Sequence, residues 1–357
     1  MPRVLVTGHR GYIGATLVPM LLERGHDVHG LDSGLFDGCD YGGSLVDVPW
    51  TRKDVRDITE EDVDGFDAVI HLAALSNDPL GDLDPDITFD INHRGAVRAA
   101  TMAKRAGVPR FLHSSTCSLY GAHGDDYIDE TAEFHPVTPY GEAKVLAEGE
   151  IRALADDDFS PVFLRNATAY GFSCRLRGDL VVNNLTAYAV ATGAVMMKSQ
   201  GLAWRPLVHI DDIARAFIVL LEADRDRVHL QALNVGRTTE NYRVREVAEM
   251  VGEEVPGSTV TFADGAFVDT RNYRVNCDRI LELFPEYEPT WTVRDGVRQL
   301  YRAYTEHGLD ADLLHSGVLT RIAHVRGMLE SGRLQPDLRW SVIDLREREA
   351  EAAEVGA

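Results

Sequence analysis

Thr7-Gly8-His9-Arg10-Gly11-Tyr12-Ile13-Gly14 follows directly on the apolar run Val4-Leu5-Val6. Such a short apolar run is a buried strand, and Ile13–Arg24 is an amphipathic helix that stops at Gly25. The three glycines therefore fall where strand becomes helix. Without side chains there, backbone N–H groups can approach a pyrophosphate, which the helix N-terminus also favours. Glycines alone would serve a tight turn equally well, and the spacing is G-x-x-G-x-x-G rather than G-x-G-x-x-G. The next strand, Val28–Leu31, is closed by Asp32. An acid at that point accepts hydrogen bonds from adenosine ribose hydroxyls and repels a 2′-phosphate. The expected cofactor is NAD rather than NADP, held by Gly8, Gly11, Tyr12, Ile13, Gly14 and Asp32. A plain turn residue is the competing reading of Asp32.

Outward from this unit the first half repeats its rhythm. Ala68–Leu72 is a strand followed by Ala73-Ala74, and Thr88–Ala106 is a helix stopping at Gly107. Arg110–His113 is a strand running into Ser114-Ser115-Thr116, Tyr140–Leu154 a helix, and Val162–Leu164 a strand. Alternating strands and helices imply right-handed crossovers and a doubly wound parallel α/β sheet of the Rossmann type. The expected division is a nucleotide-binding domain over residues 1–170 with returns near 205–235, a smaller and mainly substrate-binding lobe over 171–305, and a charged helical extension over 306–357. That extension, with Leu345–Glu354 its most charged part, reads as solvated or facing another subunit. Asp37–Pro49 reads as a Gly-rich polar loop beside the cofactor.

The bulk composition narrows the function classes. The 357 residues are 45% hydrophobic, ample for a large core, and carry a formal charge of −21. Such a chain repels nucleic acid and anionic membranes, so neither is an expected partner. No apolar run approaches the roughly 20 residues that span a bilayer, and a strand begins at the N-terminus with no room for a signal peptide. Cys39, Cys117, Cys174 and Cys277 are scattered. They suggest free thiols in a reducing cytoplasm, without the spacing of a disulfide framework or a metal site.

Tyr140-Gly141-Glu142-Ala143-Lys144 places a phenol and an ammonium one helical turn apart on one face. A tyrosine ordinarily titrates near about 10. A neighbouring ammonium and a cationic nicotinamide favour its phenolate, making Tyr140 a usable base near neutral pH. Y-x-x-x-K is common on helices, and its weight comes from the upstream strand ending in Ser114-Ser115-Thr116. The Thr116 hydroxyl could hold the substrate oxygen that loses its proton, or it could only cap a turn. Asp54-Val55-Arg56-Asp57 could set a carboxylate and an apolar contact at the adenine, with a solvated charge run as the alternative. Leu72, Ala73 and Ala74 give small residues for a cofactor ribose to pass over. Asn92, mid-helix, needs buried partners and reads as structural.

These motifs resemble the extended short-chain dehydrogenase/reductase superfamily, in its nucleotide-sugar epimerase/dehydratase branch. Carrying the resemblance are T-G-x-x-G-x-x-G (Thr7–Gly14), Asp32, D-V-R-D (Asp54–Asp57), H-L-A-A (His71–Ala74), S-S-T-C-S-L-Y-G (Ser114–Gly121) and Y-G-E-A-K (Tyr140–Lys144). L-R-N-A-T-A-Y-G (Leu164–Gly171), N-N-L (Asn183–Leu185), W-R-P-L-V-H-I-D-D-I-A (Trp204–Ala214) and L-N-V-G (Leu233–Gly236) extend it over roughly residues 1–305. It implies that Thr116, Tyr140 and Lys144 are catalytic. Asn184 and Arg205 are then expected at the diphosphate of a nucleotide-diphosphate sugar, with Ser76 and Arg271 as further substrate contacts and a homodimer as the assembly. A surface arginine is the alternative for Arg271. An acidic protein needs such local positive charge to bind an anionic substrate.

Departures from the family pattern bear on the reaction. Sugar 4,6-dehydratases of the family carry Asp-Glu directly after the catalytic Thr, where this chain has Cys117-Ser118. Thr168 stands where many epimerases have Asn, and Leu207 where an aromatic residue is common. The expectation is an NAD-dependent nucleotide-sugar 4-epimerase working through a transient 4-ketose. The alternatives are a dehydratase of the 4,6- or 5,6-type assisted by Cys117, which could equally be a small packed residue, and a non-catalytic NAD-binding regulator.

Overall fold

In the computed structural model, residues 2–76, 84–267 and 272–341 are described. The glycine turn follows β1 (Arg3–Thr7) and leads into α1 (Gly14–Glu23). β2 (Asp27–Asp32), β3 (Trp50–Arg52), β4 (Ala68–His71), β5 (Arg110–Thr116), β6 (Ser160–Asn166) and β7 (Ala232–Val235) complete one sheet. Its spatial order is β7-β6-β5-β4-β1-β2-β3, and every pairing is parallel. The doubly wound α/β sheet expected from the sequence is therefore present. Strand order reverses beside β1, which opens a crevice at the carboxyl ends of β1 and β4, where ligands bind such sheets.

Both faces of the sheet are covered, so its central strands are apolar almost throughout. Val4, Val6, Ile70, Leu112, Val162 and Leu164 pack on one face with Leu17 and Leu21 of α1. Leu5, Val69, Phe111 and Phe163 pack on the other with Ala99, Ala100 and Ala103 of α2 (Ala96–Arg105). The long helix expected over residues 88–106 is made of Pro85–Phe89, a π-helical stretch Asp90–Gly95, and α2. The π-helical stretch carries Asn92, whose amide accepts from Leu75 N (2.7 Å) and donates to Leu75 O (2.9 Å). Asn92 thus clamps the backbone just beyond Ala73-Ala74. β5 runs three residues further than expected, bringing Ser114, Ser115 and Thr116 into the strand, and α3 (Pro139–Ala153) packs against it.

Beyond the main sheet lie α4 (Val181–Thr192) and small sheets. Thr168–Tyr170, Trp204–His209 and Asn241–Arg243 form one; Ala194–Ser199 pairs with Thr259–Phe267. The extension departs from its expected solvated character. Val325, Met328, Leu334, Leu338 and Trp340 form an apolar cluster with Leu35 and Leu75, joined by Phe36, Ile87 and Ile91. Trp340 Nε1 donates to Ser33 O (2.7 Å), Arg56 Nη1 to Asp337 O (2.9 Å), and Arg339 pairs with Asp57. Residues 311–341 therefore fold back over the end of β2. Leu345–Glu354 lies outside the described residues. Among the described residues no helix is long and apolar enough to cross a membrane.

Candidate active site

A cavity of about 920 Å³ lies between the sheet's carboxyl edge, α4 with its neighbouring small sheets, and the extension. Gly8, Gly11, Tyr12, Ile13, Gly14, Asp32, Asp54, Val55, Leu72, Ala73 and Ala74 line it. Ser76, Thr116, Tyr140, Lys144, Asn184 and Arg205 line it too. Two expected residues are missing from that wall. Arg271 lies outside the described residues. Cys117 is 1% exposed and sits in the core, its Sγ donating to Arg165 O (3.1 Å). Burial pushes its thiol far above the usual range. A residue after a strand end points away from the cavity when its predecessor points into it, so the acid/base role considered for Cys117 has no geometry to support it.

The turn after β1 fits a dinucleotide. Gly8 has φ +74°, and a Cβ there would stand 2.7 Å from Ala73 N, so only glycine allows β4's end to come this close. At Gly14 a Cβ would meet His9 O at 2.4 Å, so the turn and helix can pack only without one. Asp32 accepts from Arg10 N (3.1 Å) and Gly34 N (2.8 Å). Burial pushes its carboxyl up, opposed by those two N–H groups. One engaged lone pair per oxygen leaves capacity for ribose hydroxyls. The cations nearest Asp32 are committed elsewhere: Arg10 Nε and Arg52 Nη2 both donate to Asp37, each at 2.9 Å. Asp54 caps the turn Val55–Asp57 and pairs with Arg56 (2.6 Å). Burial raises its carboxyl, but the Arg56 hydrogen bonds outweigh it and hold it below the usual range.

Tyr140 and Lys144 sit near the start of α3, where Thr138 Oγ1 caps the helix by accepting from Gly141 N (3.2 Å) and Pro139 opens the first turn. Lys144 is 2% exposed and its Nζ donates to Ser114 O (2.6 Å). Burial brings the ammonium down to about 8, with Glu148 opposing. One turn further on, Glu148 is buried, accepts from Ser115 Oγ (2.5 Å) and pairs with Arg165 (2.9 Å). Arg165 also donates to Tyr120 OH (3.0 Å), which donates to Asn234 Oδ1 (2.8 Å). His71 and His113 stack behind this group, 5.5 Å between centroids. Burial and then the Lys144 charge bring His71 down to about 3 and His113 well below its usual range, so both are neutral. Thr116 Oγ1 accepts from Ser118 N (3.1 Å), which leaves its proton to donate into the cavity.

Opposite this wall, Asn184 Nδ2 donates to Gly178 O (2.7 Å) and Arg205 Nη1 to Trp204 O (2.7 Å). Asn183 instead turns inward to Tyr12 OH (3.1 Å). Two cavity arginines, Arg177 and Arg321, escaped the sequence reading. Arg177 binds Asp179 through Nε (3.1 Å) and Nη2 (2.6 Å) and Ser76 Oγ through Nη1 (2.9 Å). Its R-G-D run lies six residues beyond Gly171 of the Y-G motif, a signal that could have been weighed. Arg321 belongs to the extension, and nothing in its local sequence marks it.

A family model described as the NAD dependent epimerase/dehydratase family matches residues 4–236. The chain is 30% identical over 269 residues to a UDP-glucose 4-epimerase of Corynebacterium glutamicum, covering 70% of this chain and 80% of that one. It is 26% identical over 318 residues to UDP-glucuronic acid decarboxylase 1 of Arabidopsis thaliana, covering 87% and 71%. The structure of MoeE5 in complex with UDP-glucuronic acid and NAD superposes with a TM-score of 0.74 at 25% identity, over 85% of this chain and 99% of that one.

Proposed function

The chain belongs to the NAD dependent epimerase/dehydratase family, and on that footing we propose that it is a nucleotide-sugar 4-epimerase acting through a transient 4-ketose. NAD, when bound, would supply a hydride acceptor at the sugar C4 and, after the 4-ketose turns over in the site, a hydride donor to its other face. Gly8, Gly11, Tyr12, Ile13 and Gly14 hold its diphosphate, Asp32 its adenosine ribose, and Leu72, Ala73 and Ala74 flank it. Tyr140 takes the proton from the 4-hydroxyl and gives it back. Thr116 donates a hydrogen bond to the same oxygen, its Oγ1 already accepting from Ser118 N. Lys144, fixed on Ser114 O, favours the phenolate and holds the nicotinamide ribose. Asn184 and Arg205 take the substrate diphosphate, for which a guanidinium has the matching donors.

One observation carries the choice of reaction. Thr116, Tyr140 and Lys144 share the cavity, while the residue after Thr116 has its thiol in the core and Ser118 is a poor base. Oxidation and return need only the first three groups; elimination of water needs a further acid and base. The UDP-glucose 4-epimerase similarity supports the same reading. Incubation with a panel of nucleotide sugars tests it. An isomer of unchanged mass, inverted at C4 by NMR, is expected; loss of water or of carbon dioxide would refute it.

A further inference from the structure

Arg175 and Arg177 lie in the loop Gly171–Asp179 and Arg321 packs against it; Arg177 and Arg321 line the cavity, and the three guanidiniums differ in what they hold. That loop is fastened to the glycine turn: Tyr12 OH donates to Gly171 O (2.7 Å) and Ser173 Oγ to Tyr12 O (3.1 Å). Arg175 is paired with Asp40 (3.3 Å) and Asp37 (3.6 Å), and Arg177 with Asp179 (2.6 Å). Arg321, brought in by the C-terminal extension, has no ion pair among the described residues. It is 3% exposed, lies 4.2 Å over the Phe36 ring, and donates through Nη2 to Arg175 O (3.0 Å). Its Nη1 is buried without a hydrogen-bond partner. Burial brings the group down to about 10. The Cys39 thiol beside it is held neutral by burial.

The carboxylate that acts on Arg321, Asp179, is already paired with Arg177, so the buried guanidinium is under-compensated, and an anion in the cavity that Arg321 lines would supply the missing charge. We propose that Arg321 binds a diphosphate in this cavity. The chemistry of the site, as read under the proposed function on which this inference rests, supplies two diphosphates, one on the cofactor and one on the nucleotide sugar. Position favours the cofactor's. Phe36 follows Asp32 by four residues, and the loop carrying Arg175 is bound to Tyr12 in the glycine turn, which the proposed function assigns to that diphosphate. Arg321 then closes the anion from the side opposite the turn, and the extension becomes part of the binding site rather than an appendage.

Titration calorimetry on the full chain, freed of cofactor, tests this with ADP-ribose, adenosine and UDP against the parent, Arg321→Met and Arg321→Lys. Arg321→Met keeps the stem over Phe36 and removes the charge. It is expected to weaken ADP-ribose at least about tenfold, as loss of a charge-assisted hydrogen bond does, while adenosine and UDP change less than about twofold. Arg321→Lys, which keeps the charge without the fork, is expected to fall between. Adenosine weakened as much as ADP-ribose, or ADP-ribose unchanged, would overturn the diphosphate role. Loss confined to UDP would overturn the assignment to the cofactor. A parent chain that binds none of the three sinks the functional reading along with this one, whereas a variant unchanged beside a binding parent sinks this one alone.

Discussion

Glu148 does not itself line the cavity, yet its removal is expected to move the pH dependence of turnover. It stands one helical turn from Lys144, a Cβ separation of about 5–6 Å. At about 6 Å and an effective dielectric of about 20, removing its charge destabilises the Lys144 ammonium by about 3 kcal/mol, or roughly two pH units. Lys144 titrates at about 8 in the parent, so its ammonium is present below that pH and lost as pH rises through it. In Glu148→Gln the loss is expected at least about one unit lower, and at pH 7 the activity drops up to about tenfold while at pH 6 it changes much less. The variant also leaves Arg165 buried and unpaired, at a stability cost of about 3–5 kcal/mol. Glu148→Gln with Arg165→Met removes both charges and is expected to recover stability, while the upper limb stays displaced, because Glu148 is the charge that supports the Lys144 ammonium. The assay is kcat/KM against pH, with melting temperatures alongside. A folded Glu148→Gln whose upper limb coincides with the parent's would refute Lys144 as the group that sets it.

Tyr140→Phe is expected to keep the fold and NAD binding by calorimetry while losing about 10²–10⁴ in turnover, the usual share of general acid–base catalysis. NAD is expected to bind at least about tenfold more tightly than NADP, about 1.4 kcal/mol; Asp32→Ala should narrow the gap without inverting it, since Arg10 and Arg52 stay committed to Asp37. Cys117→Ala is expected to lower stability by about 1 kcal/mol through lost packing and to leave turnover within about twofold. Bound cofactor trapped in its reduced form on adding substrate to Cys117→Ala, seen by absorbance, would count against that placement.

Much of the fold and site was legible because its signals are local. Val4–Val6, Ala68–Ile70 and Val162–Leu164 are buried on both faces, which leaves continuous apolar runs. The glycines at 8, 11 and 14 mark a strand-to-helix turn within eight residues, and Tyr140 and Lys144 share a face by helical periodicity alone. What escaped depends on distant partners. Trp50–Arg52 is an exposed three-residue edge strand whose pairing with β2 supplies all its order. The π-helical turn at Asp90–Gly95 keeps the same residue types as a regular helix. The extension looked solvated because its charges are dense, but Arg339 finds Asp57 across 282 residues of sequence, and Trp340 finds Ser33. Arg321 is invisible for the same reason.

Turnover of a nucleotide hexose carrying deuterium at C4 tests the central claim most directly. If Tyr140 handles only the hydroxyl proton and the C4 hydrogen leaves and returns within one closed site, the product is inverted at C4, keeps its deuterium there, and gains none of the solvent's hydrogen. An epimer in which the C4 label has washed out into water, or a product lighter by one water, would contradict the account.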